Sequence, residues 1–260
     1  MGRLAHLQQT LGAAAAQPNC SCVVVDYSCP EHCGDWVEQL FPNVTLVRVP
    51  DQLHFHPSRA RNLGAAAADA PWLCFFDADV ILSPQFSERM VPLLQAGNFY
   101  VVDPWVRELC GTTICPRLDF QHIGGYDEVF QNWGGEDLDL YDRLLRRGLR
   151  RQTISHDLVQ AIVHDDLLRV QHFAVKSSNV SHVVNTLYRL AKADLTRLLD
   201  KELSTDERGK LYAEAGQTVQ LRLQNRRETQ WRIAYRAPDS LYGQEITCTL
   251  IYSLKPPAKN

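Results

Sequence analysis

The sequence lacks the two features that direct a chain into or across a membrane. No apolar run in the 260 residues approaches the ~20 residues that a transmembrane helix needs. The N-terminus has one early arginine followed by a polar mixture, which does not fit a secretory signal peptide. We therefore expect a cytoplasmic protein without a transmembrane segment.

A large excess of charge of either sign is also missing. The 27 basic and 30 acidic side chains leave a formal net charge of -3. A chain this close to neutral has no general electrostatic attraction for nucleic acid or anionic lipid. We expect no nucleic-acid partner, and the 45% hydrophobic content is ordinary for a soluble globular protein.

Eight cysteines are present, and without a secretory signal we expect free thiols. Cys20 and Cys22 are followed closely by Cys29 and Cys33, so a zinc site is one interpretation. The spacings match no standard zinc knuckle well. The alternative is that the first pair lies on one face of a strand and the second pair lies in the next loop.

The first half of the chain alternates strand-like and helix-like segments. Apolar strand patterns occur in CSCVVVDY, VTLVRV, WLCFF and FYVVD, with helical patterns between them. This alternation predicts an α/β fold with a mixed, mostly parallel sheet flanked by helices. Ligands bind such sheets beyond the carboxyl ends of the strands, where Asp26 and Asp77 are expected.

The C-terminal part of the chain has a different pattern. The polar segment STDERGK (Ser204–Lys210) predicts a boundary between a domain of residues 1–203 and a C-terminal part of residues 204–260. Alternating apolar residues in TVQLRLQ, TQWRIAYRA and EITCTLIYSL predict strands. We expect a helix plus a small antiparallel β appendage there.

The segment LCFFDADVIL places Asp77 and Asp79 inside a hydrophobic run. Residues two apart on a strand share a face, so both carboxylates are able to reach one divalent cation. Two other interpretations remain: Asp77 is a nucleophile with Asp79 as its acid partner, or the pair is an acidic turn.

A second acidic cluster follows a pair of glycines in NWGGEDLDL. Glu136 and Asp137 stand where a helix is predicted to begin, and Trp133 offers a flat apolar face suited to a sugar ring. Gly134 and Gly135 allow a backbone to approach a substrate closely. The alternative is ordinary negative charge at the start of an amphipathic helix.

In combination, these motifs resemble those of GT-A fold glycosyltransferases, the family-two type with a galactosyltransferase-like C-terminal half. GRLAHL, FHPSRARNLGAA and GGYDEVFQNWGGED are similar to further motifs of that group, and the resemblance extends from Gly2 to about Tyr188. It implies a GT-A, Rossmann-like sheet. In the relatives a strand precedes GRLAHL, and we expect that first strand to be missing from this chain.

The resemblance also implies roles on the donor side. Asp79 would bind Mn²⁺ (or Mg²⁺) directly, with Asp77 supporting it or touching the ribose. His164 would be a further metal ligand, in preference to His156, His172 or His182. The residues that would hold the uridine, nucleotide or diphosphate of a UDP-sugar donor are Asp26, Arg3, Arg59, Arg61 and Asn62.

On the acceptor side, the resemblance implies that Asp137 is the general base and that Glu136 binds the acceptor. Trp133, Gly134 and Gly135 would line the sugar pocket. The implied reaction is metal-dependent transfer of a hexosyl or N-acetylhexosaminyl group from a UDP-sugar to a hydroxyl of a glycan or glycoconjugate, with inversion. Two alternatives stay open: a metal-dependent phosphohydrolase with Asp77 as nucleophile, and a non-catalytic module that binds nucleotide sugars.

Overall fold

The computed structural model of the protein describes residues 1–102, 106–225, 228–237 and 245–255. These residues divide into two compact units. The first consists of Met1–Glu128 and Glu136–Lys176, and the second consists of Val129–Gly135 and the described residues from Ser177 onward. The chain therefore contributes to the second unit twice.

The first unit contains alternating helices and strands, as the sequence predicts. Its helices are α1 (Leu4–Ala15), α2 (Cys33–Leu40), α3 (Pro57–Ala66), α4 (Phe86–Met90), α5 (Arg117–His122), α6 (Glu136–Arg146) and α7 (Asp166–Val170). Its strands are β1 (Val23–Tyr27), β2 (Thr45–Val49), β3 (Trp72–Phe75), β4 (Val80–Leu82), β5 (Asn98–Val101), β6 (Thr113–Pro116), β7 (Arg150–Thr153) and β8 (Val159–Ala161).

The pairing of these strands is mixed, which confirms the predicted class. β1 pairs with β2 in parallel, and β5 pairs with β7 in parallel. β6 lies between β3 and β5 and runs antiparallel to both, while β4 and β8 form a separate antiparallel pair. Among the described strand pairs of this unit, two are parallel and three are antiparallel. Parallel pairs are therefore fewer than the alternation of strands and helices predicts.

The core of the first unit explains why its central strands are apolar on both faces. Phe99 and Val101 of β5 are fully buried and pack in one cluster with Leu140 and Leu144 of α6. Tyr100, between them, points into a second cluster on the opposite side. A strand covered on both faces reads as a continuous apolar run, and FYVV is such a run.

The second unit is built from two long helices and a hairpin. They are α8 (Ser178–Leu199), α9 (Thr205–Asn225), β9 (Thr229–Arg236) and β10 (Thr247–Leu254). The hairpin is antiparallel, as predicted for TQWRIAYRA and EITCTLIYSL. The core of the second unit contains residues from both helices and from the hairpin: Tyr188, Ala191, Ala215, Trp231 and Ile233.

One predicted strand of the tail is wrong. TVQLRLQ (218–224) is the end of α9, not a strand. Leu211, Ala215 and Val219 are buried at intervals of four residues, which is helical spacing, whereas Leu221 is half exposed. The period-two pattern in TVQLRLQ is a short coincidence within a longer helical pattern that starts at Thr205.

Ser204, the predicted domain boundary, lies within the second unit and caps α9. Its hydroxyl accepts the backbone N–H of Glu207 at 3.2 Å, and the Glu207 carboxylate accepts the N–H of Ser204 at 2.7 Å. This reciprocal pair is a capping box. The polar composition of STDERGK thus has a local cause, and the domain boundary at residue 204 stays a prediction.

Helices α8 and α9 have 22 and 21 residues, which is long enough to span a bilayer. Both helices carry several charged side chains, so they are too polar to lie in the hydrocarbon core of a bilayer. Among the described residues no helix combines the length and apolarity that crossing a membrane requires.

Candidate active site

The acidic turn between β3 and β4 places its two carboxylates in different surroundings. The Asp77 carbonyl accepts the N–H of Val80 at 3.0 Å, and the carbonyl of Ala78 accepts the hydroxyl of Thr10 at 2.9 Å. The Asp77 side chain is 53% exposed, whereas that of Asp79 is 15% exposed. A regular turn therefore holds one half-open and one enclosed carboxylate.

His164 is brought to Asp79 by the pairing of β4 with β8. Val80 is the register partner of Ala161, and one residue further the N–H of Ile162 donates to the Asp79 carbonyl at 2.8 Å. Two residues later, His164 Nε2 lies 2.7 Å from Asp79 Oδ2. Of the four histidines considered from the sequence, His164 is the one with this contact.

The hydrogen bonds of His164 suit a metal ligand. Its Nδ1 lies 3.0 Å from the carbonyl oxygen of Asp165, which only accepts, so Nδ1 carries a proton. Nε2 faces a carboxylate, which also only accepts, so a proton or a cation must lie between them. A histidine that ligates a metal typically donates its other N–H to a carbonyl in this way. Asp79 and His164 therefore fit a divalent cation.

Arg3 and His6 lie beside this pair. Arg3 Nη2 donates to the Leu168 carbonyl at 3.3 Å, and its buried Nη1 has no hydrogen-bond partner in the structure. Burial lowers the pKa of Arg3, and the charges of Asp79 and Asp77 oppose that effect. The His6 ring centroid is 5.6 Å from that of His164. His6 is not among the site residues predicted from the sequence. The sequence does contain a signal for it, because His6 lies on α1 three residues after Arg3 and therefore faces the same side.

Arg61 on α3 joins the acidic turn to the start of α6. Its Nη2 lies 2.7 Å from Asp77 Oδ1, and its Nη1 lies 2.9 Å from Glu136 Oε1 and 3.3 Å from Asp137 Oδ1. The guanidinium also lies 5.1 Å from the centre of the Tyr126 ring. One largely buried cation thus pairs with three carboxylates, because its planar fork presents several donors at once.

Asp137 is buried in this network. The Tyr126 hydroxyl donates to its Oδ1 at 3.3 Å. Burial raises the pKa of Asp137 to about 7; Arg61 opposes the rise, and the nearby charges of Glu136 and Asp77 add to it. The second carboxylate oxygen of Glu136 is buried without a hydrogen-bond partner. The start of α6 therefore holds a carboxylate that exchanges its proton near neutral pH and an acceptor atom free to receive a donor.

Gly111 leaves space at the centre of the network. β3 and β6 pair Phe75 with Thr113, so the antiparallel register sets Gly111 opposite Asp77. A Cβ at Gly111 would lie 2.8 Å from Arg61 Nη2, 3.3 Å from Asp77 Oδ2 and 3.5 Å from Asp137 Oδ2. The sequence patterns do not indicate this residue, since GTT is an ordinary loop sequence.

Comparison with known proteins decides the family. The family model "Glycosyl transferase family 2" matches residues 2–151, which is more than half of the chain. The chain belongs to glycosyl transferase family 2. The matched residues include the acidic turn, Arg61 and the start of α6.

The curated relatives of this family 2 chain are transferases. A validoxylamine A glucosyltransferase of Streptomyces hygroscopicus subsp. jinggangensis (strain 5008) is 24% identical over 218 residues, covering 60% of this chain and 51% of the relative. Beta-1,4-galactosyltransferase 1 of Bos taurus is 26% identical over 138 residues, covering 46% of this chain and 34% of the relative. The chain spans about half the length, or less, of the curated relatives it matches.

Solved structures confirm the GT-A fold of this family 2 chain. A mannosyltransferase from Pyrobaculum calidifontis, in complex with GDP-Man and Mn²⁺, aligns with a TM-score of 0.54 and 14% identity over 85% of this chain and 71% of that one. GalNAc-T7 with UDP, GalNAc and Mn²⁺ aligns with a TM-score of 0.55 and 14% identity over 85% and 54%. At this level of identity, the likeness to these structures shows the fold and no further property.

Three predicted donor-binding residues of the family 2 chain have internal partners. Asn62 donates to the Tyr126 carbonyl at 2.9 Å and accepts the Tyr126 N–H at 2.8 Å, so it holds the loop before α6. Asp26 accepts the backbone N–H of Cys29, in the loop after β1, and that of Gly34, in the first turn of α2. Arg59 is exposed and hydrogen-bonds Tyr27. Contact of these three residues with a nucleotide stays a prediction.

Trp133, Gly134 and Gly135 belong to the second unit. The Trp133 ring lies 6.2 Å from that of His182, and Asn185 donates to the carbonyl of Gly134 at 2.5 Å. Both glycines have positive φ, at 88° and 96°, which other residues rarely adopt. This backbone geometry is a structural reason for the glycine pair, independent of substrate approach, and the sugar-pocket role stays a prediction.

Proposed function

We propose that the protein transfers a sugar from a UDP-sugar to a hydroxyl group of a glycan or glycoconjugate, in a metal-dependent and inverting reaction. One observation carries the proposal: Arg61 links the carboxylate of the acidic turn to the buried Asp137 at the start of α6. A donor-side group and a candidate base are thereby held at one site.

The donor side would use the residues around the acidic turn. Asp79 and His164, with Asp77 in support, would hold Mn²⁺ (or Mg²⁺), which when bound supplies positive charge to a departing diphosphate. Arg3 adds a fixed positive charge, and its unpaired buried N–H is suited to a phosphate oxygen. Imidazole in the ligand set favours Mn²⁺ over Mg²⁺.

Asp137 is the proposed general base. A base works best when its pKa is near the working pH, and burial raises the pKa of Asp137 to about 7. Its ionised form would accept the proton of the acceptor hydroxyl as that oxygen attacks the sugar. The unpaired Glu136 oxygen would accept a hydrogen bond from another acceptor hydroxyl. Direct displacement by one attacking oxygen inverts the anomeric carbon.

The donor is proposed to be a hexosyl or N-acetylhexosaminyl UDP-sugar. The relatives named as glucosyl- and galactosyltransferases support a hexose. The GalNAc-T7 structure contains UDP, whereas the Pyrobaculum structure contains GDP-Man, so the nucleotide itself must be tested.

The test is calorimetric titration of UDP and of GDP, each with and without Mn²⁺, followed by a panel of UDP-sugars scored for slow hydrolysis without acceptor. We expect UDP to bind only with Mn²⁺, and Asp79→Ala to weaken that binding by on the order of 10–100-fold. Binding of GDP in preference to UDP would overturn the UDP assignment. Phosphate release from a generic phosphoester, lost in Asp77→Asn, would instead support a phosphohydrolase. Binding without hydrolysis of any UDP-sugar would support a non-catalytic module.

A further inference from the structure

A second group of metal-ligating side chains lies in the loop between β1 and α2. One oxygen of Asp26 and the sulfurs of Cys29 and Cys33 all lie within 4.8 Å of one another. Both cysteines are buried, each 7% exposed, and the Asp26 side chain is 11% exposed. Neither cysteine has a part in the proposed transfer reaction.

The loop is built so that these three side chains converge. The Asp26 carboxylate accepts the N–H of Cys29 at 2.9 Å and the N–H of Gly34 at 3.1 Å, which folds the loop back onto the end of β1. A Cβ at Gly34 would lie only 2.4 Å from Asp26 Oδ2. Glycine at this position therefore permits the close approach of α2 to Asp26.

Backbone donors surround the sulfur of Cys29. The N–H of Gly2 donates to Sγ at 3.3 Å, and the backbone N–H groups of Glu31 and Cys33 also interact with it. N–H donors of this kind stabilise a thiolate, which is the form of cysteine that binds metals.

A guanidinium lies beside the cluster, but it is shared with other carboxylates. With both thiols ionised, three negative charges would meet in a largely buried place. The nearest guanidinium nitrogen to Asp26 is that of Arg48, at 3.9 Å, and Arg48 also pairs with Asp35 at 2.8 Å. Buried anions are stable only when they are paired with a cation or protonated.

We propose that Asp26, Cys29 and Cys33 form a zinc site. Tetrahedral zinc with Zn–S distances of about 2.3 Å has sulfur–sulfur edges of roughly 3.8 Å, so the observed cluster needs only small rotations to close on the ion. Two sulfur ligands select zinc over Mn²⁺ or Mg²⁺, which prefer oxygen. Among the described residues no fourth side chain joins the group, so solvent supplies the fourth ligand.

The site uses two of the four neighbouring cysteines. Cys20 is exposed, and Cys20 and Cys22 interact electrostatically with Cys74 on β3. The sequence interpretation of one four-cysteine zinc site is therefore replaced by a site with two cysteines and one aspartate. A bound zinc would fix the loop between β1 and α2 and raise the melting temperature of the fold.

The test is titration of the reduced full chain with Co²⁺, which gives an intense thiolate-to-cobalt absorption band only when sulfur is a ligand. We expect one equivalent of Co²⁺ to produce the band and Zn²⁺ to remove it by displacement. Cys29→Ser and Cys33→Ser should each lose most of the band, whereas Cys20→Ser and Asp79→Ala should keep it. A missing band, or a band that survives in Cys29→Ser, would overturn the proposal.

Wild-type protein provides a second measurement, which does not depend on whether the serine variants fold. Alkylation by iodoacetamide, mapped by mass spectrometry, should be slowed by Zn²⁺ at Cys29 and Cys33 and unchanged at Cys20. Equal labelling of Cys29 and Cys33 with and without Zn²⁺ would contradict the proposal. Conversion of the pair to a disulfide by oxidised glutathione at the same rate with Zn²⁺ as without it would contradict it as well.

Discussion

Two acidic groups in the first unit deal with negative charge in opposite ways. Around Arg61, three carboxylates share one largely buried guanidinium, so each of them has a permanent cation of the protein beside it. Around Asp79, the ion-pair partner within 4 Å in the described chain is His164, which contributes a positive charge only when protonated. The first group is suited to holding a base in place, and the second group is suited to receiving a cation.

The largest expected effect comes from removing the proposed base. Asp137→Asn keeps the size of the side chain but cannot accept the acceptor proton. A general base contributes about 10²–10⁴-fold to rate, so we expect turnover to fall by that order. Mn²⁺-dependent UDP binding should stay unchanged, because Asp137 is not placed among the donor residues. Loss of binding together with turnover would show that the two groups are not separable.

The same variant has a distinct effect on stability. The pKa of Asp137 is about 7 in the folded chain against an ordinary 3.8, so folding favours the protonated form. Between these values the unfolded chain binds fewer protons than the folded chain, and stability falls as pH rises. Asp137→Asn should therefore raise the melting temperature more at pH 8 than at pH 5. An equal change at both pH values would contradict the buried-carboxyl interpretation.

The second prediction concerns the group in which Asp79 pairs with His164. Asp79→Ala or His164→Ala removes one proposed metal ligand, and we expect Mn²⁺-dependent UDP affinity to fall by on the order of 10–100-fold. Calorimetry with and without Mn²⁺ measures this directly. His156→Ala is the matched control, since His156 is exposed. An unchanged Mn²⁺ dependence in His164→Ala would remove that residue from the ligand set.

The sequence was sufficient to select the residues that carry charge at this site. Asp77 and Asp79 are recognisable because carboxylates inside an apolar run are costly unless they are paired or bind a metal. Asp137 is recognisable because it follows a glycine pair where a helix is predicted to begin. Their pairing was not recognisable, because it depends on long-range register. The antiparallel pairing of β4 with β8 brings His164 to Asp79 across 85 residues, and spacing along the chain does not encode that distance.

Other features depend on surroundings that the sequence does not show. The motif assigns Asn62 to the nucleotide, which stays a prediction, and the structure adds that its amide pairs with the backbone of Tyr126. The seven residues of TVQLRLQ fit both the two-residue period of a strand and the 3.6-residue period of a helix. The longer pattern of α9 is needed to show that they are helical. Gly111 gave no signal, since an absent side chain matters only when its surroundings are known.

The third prediction changes the balance of charge around Arg61. Arg61→Lys keeps one positive charge but loses the planar fork that reaches three carboxylates. Arg61 opposes the rise in the pKa of Asp137, so weakening it should shift the pH dependence of turnover towards higher pH. The pH–rate profile of kcat is the measurement. Arg89→Lys, in an exposed ion pair with Asp157, is the control and should leave the profile unchanged.

The smallest expected effect tests whether the Arg61 group needs its empty space. Gly111→Ala adds a methyl group 2.8 Å from Arg61 Nη2, so the guanidinium must move away from Asp77 or Asp137. We expect turnover to fall several-fold and Mn²⁺-dependent UDP binding to change less, because Asp77 is the one proposed metal-binding residue among the three atoms nearest to the added methyl group.

Gly12→Ala is the matched control for Gly111→Ala. Gly12 lies in α1, where a Cβ would meet nothing within 4 Å, and alanine there should leave activity unchanged and add up to about 1 kcal/mol of stability. If Gly111→Ala leaves activity unchanged, as expected for Gly12→Ala, then Arg61 and its three carboxylates tolerate displacement. The proposed difference between a preassembled group around Arg61 and a cation-dependent group around Asp79 would then be wrong. If Gly111→Ala loses UDP binding instead, the two acidic groups are one unit, joined through Asp77.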